Sequence, residues 1–345
     1  MDIKYQEVFQ QYNFKIYNTF RIRGAHIVET NKGPKLFKRL ECSKNRVELE
    51  DKIQQFLVEK CHPYVDLYVR NINNEVVTKD SMGNCFTLKD WYSGTECNLR
   101  DEVEVLYGVR NLTLLHKILK EFPMEAQEVS FSLDLDLREA FEKRNRELRR
   151  VRSYIRGKRK KNEFELCFLA CYDHLFKQAL LATNLLKESR YHSLMENSIN
   201  KRHICHGNYT YHNVLLLSQK QNRNINERHG DFKSSNIITT NFDRSVVGIQ
   251  INDLYHFIRK TMEKNDWNIE LGNKMIQTYD SHCNMTKDEK DLLYILLLYP
   301  EKFWKISNDY VNGKKTWVPR RTIQKLMDVK EQTTKKDKFI KQLKK

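Results

Sequence analysis

One change of pattern governs what this chain can fold into. Roughly the first 90 residues are written for short strands and one helix, and after Gly94 the pattern turns mainly helical. Phe14–Tyr17 and Gly24–Thr30 are β-prone runs, Thr30-Asn31-Lys32-Gly33 reads as a hairpin turn, and Pro34–Leu40 as the returning strand. Ser43 is placed to cap a helix whose apolar positions are Val47, Leu49, Ile53, Phe56 and Leu57. Three more β-like pieces follow at Tyr64–Arg70, Glu75–Lys79 and Asn84–Trp91, the last after a turn at Met82-Gly83. Beyond them, Val103, Leu106, Val109, Leu112, Leu115 and Ile118 form a helical stripe over 101–120. Residues 136–156, 163–188, 250–264, 268–280 and 286–299 also carry helical patterning. The Lys-rich segment 320–345 is amphipathic at best and is expected to fray or to dock on a partner. This order predicts an α+β chain of two lobes. A small β-rich lobe spans 1–90, a connector lies near 88–94, a helical lobe spans 91–319, and a basic tail spans 320–345.

Composition narrows the class. Gly and Pro together number only 16 in 345 residues, and 40% of the chain is apolar, which argues against disorder and against a mainly β chain rich in turns. The N-terminus has no cationic start followed by an apolar run, so no signal peptide is expected. The longest apolar run, Leu292 to Tyr299, is far short of the ~20 residues a spanning helix needs. A soluble chain made in a cytosol, with no membrane partner, is the expectation. None of the eight cysteines has CxxC spacing, so they read as reduced, buried thiols, with Cys167 and Cys171 one helical turn apart in a core.

Lys and Arg number 61 against 45 Asp and Glu, a formal charge of +16. Such an excess invites a nucleic-acid reading. Here it concentrates in 143–161 and after Pro319, without a zinc-finger or RNA-binding motif, so no nucleic-acid partner is expected. The dense charge over 138–161 reads as a solvated helix face, and the excess as an assembly surface.

The chemistry lies further along. Residues 203–217 read HICHGNYTYHNVLLL; a β-prone run, Asn236–Asp243, follows, and then Val246–Lys260. The His-Gly loop at 206–213 resembles the catalytic core of the aminoglycoside phosphotransferase and choline kinase group, which has a protein-kinase-like fold. More closely, over roughly residues 10–315 the chain resembles the CotS family of spore coat proteins. The supporting stretches are Lys89–Cys97, the loop 206–213, Asp253–Lys260 and Asn265-Asp266-Trp267. The resemblance implies a bilobal kinase-like fold with a small β-rich N-lobe and a large helical C-lobe. It implies synthesis in the mother-cell cytoplasm, then residence in the spore coat among other coat proteins.

Phosphoryl transfer is mostly positioning and charge neutralisation. The kinase-like loop pattern HGDxxxxN supplies an Asp that accepts the substrate proton and an Asn that holds magnesium. A second Asp on the next strand holds metal, and a small-lobe Lys grips phosphates, often paired to a helix Glu. Carried over residue by residue, Asn213 is retained and Lys38 matches the small-lobe lysine. Glu50 matches its helix partner, although spacing alone does not separate it from Glu48. Asp253 matches the buried Asp that supports the loop. Two positions depart from the pattern: Asn208 stands at the base position and Asn241 at the metal-binding position. An amide accepts no proton near neutral pH and is a poor ligand for magnesium. Losing a general base forfeits ~10²–10⁴ in rate. Asp243 rescues metal binding only if the strand register shifts by two residues, which keeps the same face.

A second match, His229-Gly230-Asp231 through Asn236, keeps the Asp, but its Asn lies five residues before Asn241 and leaves no room for the intervening strand and turn. If it were the working loop, the protein would be an ordinary kinase. A zinc site from His203, Cys205, His206 and His212 is set aside because the kinase-like loop already accounts for the His-Gly pair. The expectation is therefore a pseudokinase serving as a structural or interaction component of the coat. It requires no cofactor and keeps weak ATP and magnesium binding at most. The alternative is an active ATP-dependent small-molecule phosphotransferase.

Overall fold

The computed structural model describes residues 5–22, 24–62, 64–130, 132–217, 237–313 and 318–344. The chain falls into two compact units, each built from two stretches: Met1–Ser132 with Arg202–Val246, and Leu133–Lys201 with Val247–Lys345.

The first unit carries the strands. β1 (Ile16–Ile22), β2 (Ala25–Thr30), β3 (Lys35–Arg39), β4 (Val77–Lys79) and β5 (Cys85–Asp90) form an antiparallel sheet of order β1-β2-β3-β5-β4. The short helix α1 (Gln6–Phe9) brings Val8 and Phe9 under this sheet, where they meet Val28, Phe37, Phe86 and Leu88. Phe37 and Phe86 stack with centroids 5.1 Å apart. Strand alternation then turns Leu36 and Lys38 to the other face. Helix α2 (Lys44–Glu59) starts at Ser43 as expected, but the Ser43 side chain makes no capping bond. α3 (Glu102–Leu119) is capped by Asp101, whose carboxylate accepts the Val103 and Glu104 N–H groups. α4 (Ala126–Ser130) follows. After β7 (Ile204–Cys205), a second sheet of order β6-β8-β9 joins β6 (Gly94–Glu96), β8 (Val214–Leu217) and β9 (Ile237–Thr239). Gly94 opposes Leu217 there, and a Cβ on it would lie 2.9 Å from the Leu216 carbonyl oxygen, so only glycine lets these strands meet.

Tyr64–Arg70, expected as a strand, makes only isolated bridges, Val65 with Thr239 and Tyr68 with Lys89. The Leu67 N–H turns back onto the Val65 carbonyl and spends the hydrogen bond a ladder would need.

The second unit is helical among its described residues: α5 (Leu137–Gly157), α6 (Glu163–Glu188), α7 (Tyr191–Asn200), α8 (Ile251–Lys264), α9 (Ile269–Cys283), α10 (Lys287–Leu298), α11 (Glu301–Asn312) and α12 (Arg320–Leu343). Side-chain caps fix several starts: Asp136 for α5, Asn268 for α9, and reciprocal capping boxes at Asn162 for α6 and Thr286 for α10. α7 and α11 have no counterpart among the expected helices. Leu148, Val151, Ile155, Phe164, Phe168, Cys171, Phe303 and Leu326 form one buried cluster drawn from α5, α6, α11 and α12. α5 and α12 each pack on both α6 and α11 but not extensively on each other among the described residues, which sets them at opposite corners of a four-helix group.

Two expectations are corrected here. The segment after Pro319 does not fray: it is a continuous helix that buries Leu326, Phe339 and Ile340 within its own unit. Of the eight cysteines, all free, Cys167 and Cys171 are core residues as expected, but Cys42 and Cys61 are exposed.

Candidate functional site

Within the first unit a cleft of about 580 Å³ opens over the sheet face that carries Leu36 and Lys38. Five of the residues singled out from sequence line it together: Lys38, Glu50, Asn213, Asn241 and Asp243. Asn208 is half-buried and does not belong to the described lining, and Asp253 lies in the second unit, buried in the first turn of α8. The second HGD match, at 229–236, lies outside the described residues.

The loop is built around a buried histidine. His206 is fully buried, with its ring between Tyr209 and Phe242 at centroid distances of 5.7 and 4.6 Å. Its Nδ1 accepts the Asn208 N–H at 3.2 Å, which leaves Nε2 to donate to the Thr240 carbonyl at 3.1 Å. Both nitrogens are therefore occupied in the neutral ring. His212 pairs instead with Glu96 at 2.8 Å, and no cluster of three metal-ligating side chains occurs among the described residues. Gly207 is left-handed at φ +74°, and a Cβ there would lie 1.9 Å from the Arg244 carbonyl oxygen. The tight approach of the loop to the 3-10 turn Phe242–Arg244 thus requires this glycine. Asn213 holds the loop's far end: its Nδ2 donates to the Asn208 carbonyl at 2.8 Å, and its own carbonyl accepts the Thr240 N–H at 3.0 Å. That donation commits the amide nitrogen and leaves Oδ1 to act as an acceptor or ligand.

The floor of the cleft holds a cluster that sequence reasoning missed. Glu50 of α2 was expected beside Lys38; its cation is instead Lys89 of β5, in a close ion pair. Lys89 also reaches Asp66 at 3.4 Å, and its ammonium sits 4.4 Å from the Tyr68 ring centroid. Tyr68 donates its hydroxyl to Glu50 at 2.5 Å, and Gln54 donates to Asp66 at 3.1 Å. Asp66 in turn accepts the Asn241 N–H, 3.1 Å from each carboxylate oxygen. Asn241 takes the left-handed conformation at φ +68°, which Asn tolerates better than most residues. Lys38 itself is exposed at the cleft wall and makes no ion pair among the described residues.

Electrostatics follow from two carboxylates sharing one buried ammonium. Burial pushes Asp66 up to about 6; Lys89 opposes this, Glu50 reinforces it, and the Asn241 N–H opposes it again. Burial alone would disfavour the Lys89 ammonium, but Asp66 and Glu50 outweigh it and hold its pKa above the ordinary range. Burial, Glu50 and Asp243 together raise the Cys42 thiol, so that cleft cysteine is no activated nucleophile.

A phosphate in the cleft would find the exposed Lys38 ammonium on its wall. A magnesium ion would find the amide oxygens of Asn213 and Asn241 and the Asp243 carboxylate. Asp243 Oδ1 is buried without a hydrogen-bond partner among the described residues, so its chemistry fits a cation. Magnesium would neutralise nucleotide phosphates there. Asn208, expected from the resemblance to stand at the base position, offers an amide and no carboxylate.

The family described as "spore coat putative kinase YutH" matches residues 5–343. No curated protein matches the chain. Among solved structures, it is similar to an aminoglycoside phosphotransferase from Alicyclobacillus acidocaldarius at 17% identity, covering 98% of this chain and 95% of that one with a TM-score of 0.83. It is also similar to the spectinomycin phosphotransferase APH(9)-Ia in complex with ADP and spectinomycin, at 11% identity, 94% of each chain and a TM-score of 0.67. A third is the amicoumacin kinase hAmiN in complex with AMP-PNP and Ca²⁺, at 11% identity, 98% and 94% coverage, and a TM-score of 0.58. The fold is therefore the α+β kinase-like one, with a small antiparallel sheet and a mostly helical remainder.

Proposed function

The chain belongs to the family of spore coat putative kinases of the YutH type, and from that premise we propose that it is a coat component with a degenerate phosphoryl-transfer site. In this reading it is made in the mother cell, joins the spore coat, and acts there as a structural or interaction component among other coat proteins. Phosphoryl transfer is weak or absent, and ATP with magnesium is bound weakly at most. The observation that carries the reading is Asn241. It stands where a metal-binding carboxylate is needed, lines the cleft, and has its backbone fastened to Asp66. A neutral amide there, with Asn208 at the base position, removes one metal ligand and the proton acceptor together.

One observation favours a second reading, an active ATP-dependent phosphotransferase. Asp243, two residues on, lines the same cleft, and one of its carboxylate oxygens has no hydrogen-bond partner among the described residues.

Thermal unfolding with nucleotide and magnesium separates the two, because ligand stabilises by RT ln(1 + [L]/Kd). The pseudokinase reading expects no magnesium-dependent rise in Tm for the natural protein and a clear rise for the Asn208→Asp, Asn241→Asp double variant. A magnesium-dependent rise in the natural protein, with turnover abolished by Lys38→Ala, would overturn it.

A further inference from the structure

The formal charge of +16 is not spread over the chain. Residues 137–162 carry twelve Lys and Arg against three Glu, and residues 320–345 carry ten against three acidic residues. These two segments hold the whole net charge, and the rest of the sequence balances. They contain α5, with the short turn that follows it, and α12, at opposite corners of the four-helix group.

The two helices differ in kind. α5 itself carries eight of the first segment's twelve cations, seven of them Arg, and the other four follow its end at Gly157. Lys143, Arg146, Arg150 and Tyr154 follow one another at three- and four-residue steps, so they form one row along the outer face. All four are exposed, Tyr154 by 51%, and the three cations make no ion pair among the described residues. Two of the acidic residues beside the row are already occupied: Glu142 pairs with Lys187 at 2.6 Å, and Glu147 accepts the Trp304 indole N–H at 2.7 Å. α12 is Lys-rich instead, and no large apolar side chain stands exposed along its described residues.

We propose that the α5 row is a docking surface for an acidic polypeptide segment. The inference rests on reading the chain as an interaction component of an assembly. Guanidinium forks grip carboxylates bidentately, and an exposed Tyr at the end of an Arg row is the residue pair enriched where proteins bind proteins. The cations stand about 5–6 Å apart, close to the spacing of alternate side chains along an extended strand. A second copy of this chain is the less favoured occupant, because outside these two segments its charge sums to zero and offers no overall acidic excess to the row. Nucleic acid is the poorer fit as well. Three cations spanning about 10 Å of helix release few counterions, and such binding would draw on α12 as much as on α5.

The test uses the full chain and a fluorescein-labelled peptide of alternating Glu and Tyr, read by anisotropy at physiological salt, beside a single-stranded oligonucleotide of equal length. The natural protein binds the peptide more tightly than the oligonucleotide. The triple variant Lys143→Glu, Arg146→Glu, Arg150→Glu loses at least tenfold in peptide affinity. The α12 control Lys325→Glu, Lys330→Glu, Lys338→Glu, with the same change in charge, loses less than twofold. Replacing the α5 trio with Gln gives an intermediate loss and guards against misfolding, with unchanged far-UV circular dichroism required of every variant. Equal losses in the two triples, tighter binding of the oligonucleotide, or no peptide binding by the natural protein would each overturn the proposal. The nucleotide experiment above reads the cleft and not α5, so either reading can fail alone.

Discussion

Each unit of this protein buries two carboxylates around a cation, and the two clusters behave oppositely. In the first unit, Glu50 and Asp66 share the single ammonium of Lys89. In the second, Glu263 and Glu301 share the guanidinium of Arg259, at 2.6 and 3.5 Å, with Arg144 a further 3.8 Å from Glu301 and Tyr255 donating to Glu301 at 2.7 Å. Burial is similar, yet Asp66 is pushed up to about 6. Burial pushes Glu301 up too, but Arg259, His256 and Arg144 outweigh it and hold its carboxyl at about 2. The number and shape of the cations, not depth, decide whether a buried carboxylate stays charged. One cluster is locked, and the other has a proton in reach.

Removing the cation should break the comparison most sharply. Arg259→Met removes the nearest cation from both Glu263 and Glu301, leaving only the longer contacts of Lys302 at 4.0 Å and Arg144 at 3.8 Å, and should cost about 3–5 kcal/mol. Lys89→Met should fall at the lower end of the same range, because Asp66 can relieve the stranded charge by taking a proton. Urea unfolding at neutral pH measures both, and a larger loss for Lys89→Met would contradict the ranking.

Titration gives the next effect. Asp66 has a folded pKa raised above its ordinary value of 3.8, so its contribution is fully present below about pH 4 and is lost as pH rises to about 6. Glu301 has a lowered one, so its contribution is present above about pH 4.5 and is lost as pH falls toward 2. Each swing is on the order of 3 kcal/mol. Relative to the natural protein, Asp66→Asn should gain stability between pH 4 and 6, while Glu301→Gln should lose its deficit on acidification below pH 4.5. Parallel pH profiles for the two variants would show that the clusters do not differ as described.

The smallest effect should come from the other lysine of the cleft. Lys38→Ala removes no ion pair among the described residues and should change unfolding free energy by no more than ~0.5 kcal/mol. Any nucleotide-induced rise in Tm should vanish with it. A loss comparable to that of Lys89→Met would mean that Lys38, too, is structural.

Much of the fold was legible because the helices are bounded by capping side chains and carry clear apolar stripes: Glu163–Glu188 begins and ends where the pattern does. The loop was legible because His206, Gly207 and Asn213 each have a backbone reason to be what they are. Lys89 was not. The β3–β5 register sets Leu36 opposite Lys89 and Lys38 opposite Thr87, so two lysines reach one cleft from adjacent strands. Nothing in their spacing says which one meets Glu50. Asp66 was hidden for a related reason: it lies in a segment that reads as a strand but forms only isolated bridges, so its orientation follows from tertiary contacts alone. The docked helix after Pro319 was misjudged because its apolar residues are few among many lysines, although they suffice to fill a groove beside Gly272, where a Cβ would lie 2.5 Å from the Phe339 ring.

The two-part construction of each unit has a consequence for synthesis. As the chain leaves the ribosome, its first 132 residues cannot finish their own unit until residues up to 246 have followed, and the second unit, begun at Leu133, must wait for Phe339 and Ile340 to close it. Each half-built unit therefore holds open apolar surface while part of the other is being made. Such a chain is expected to lean on chaperones during translation and to yield no stable fragment when cut between the two units at Ser132.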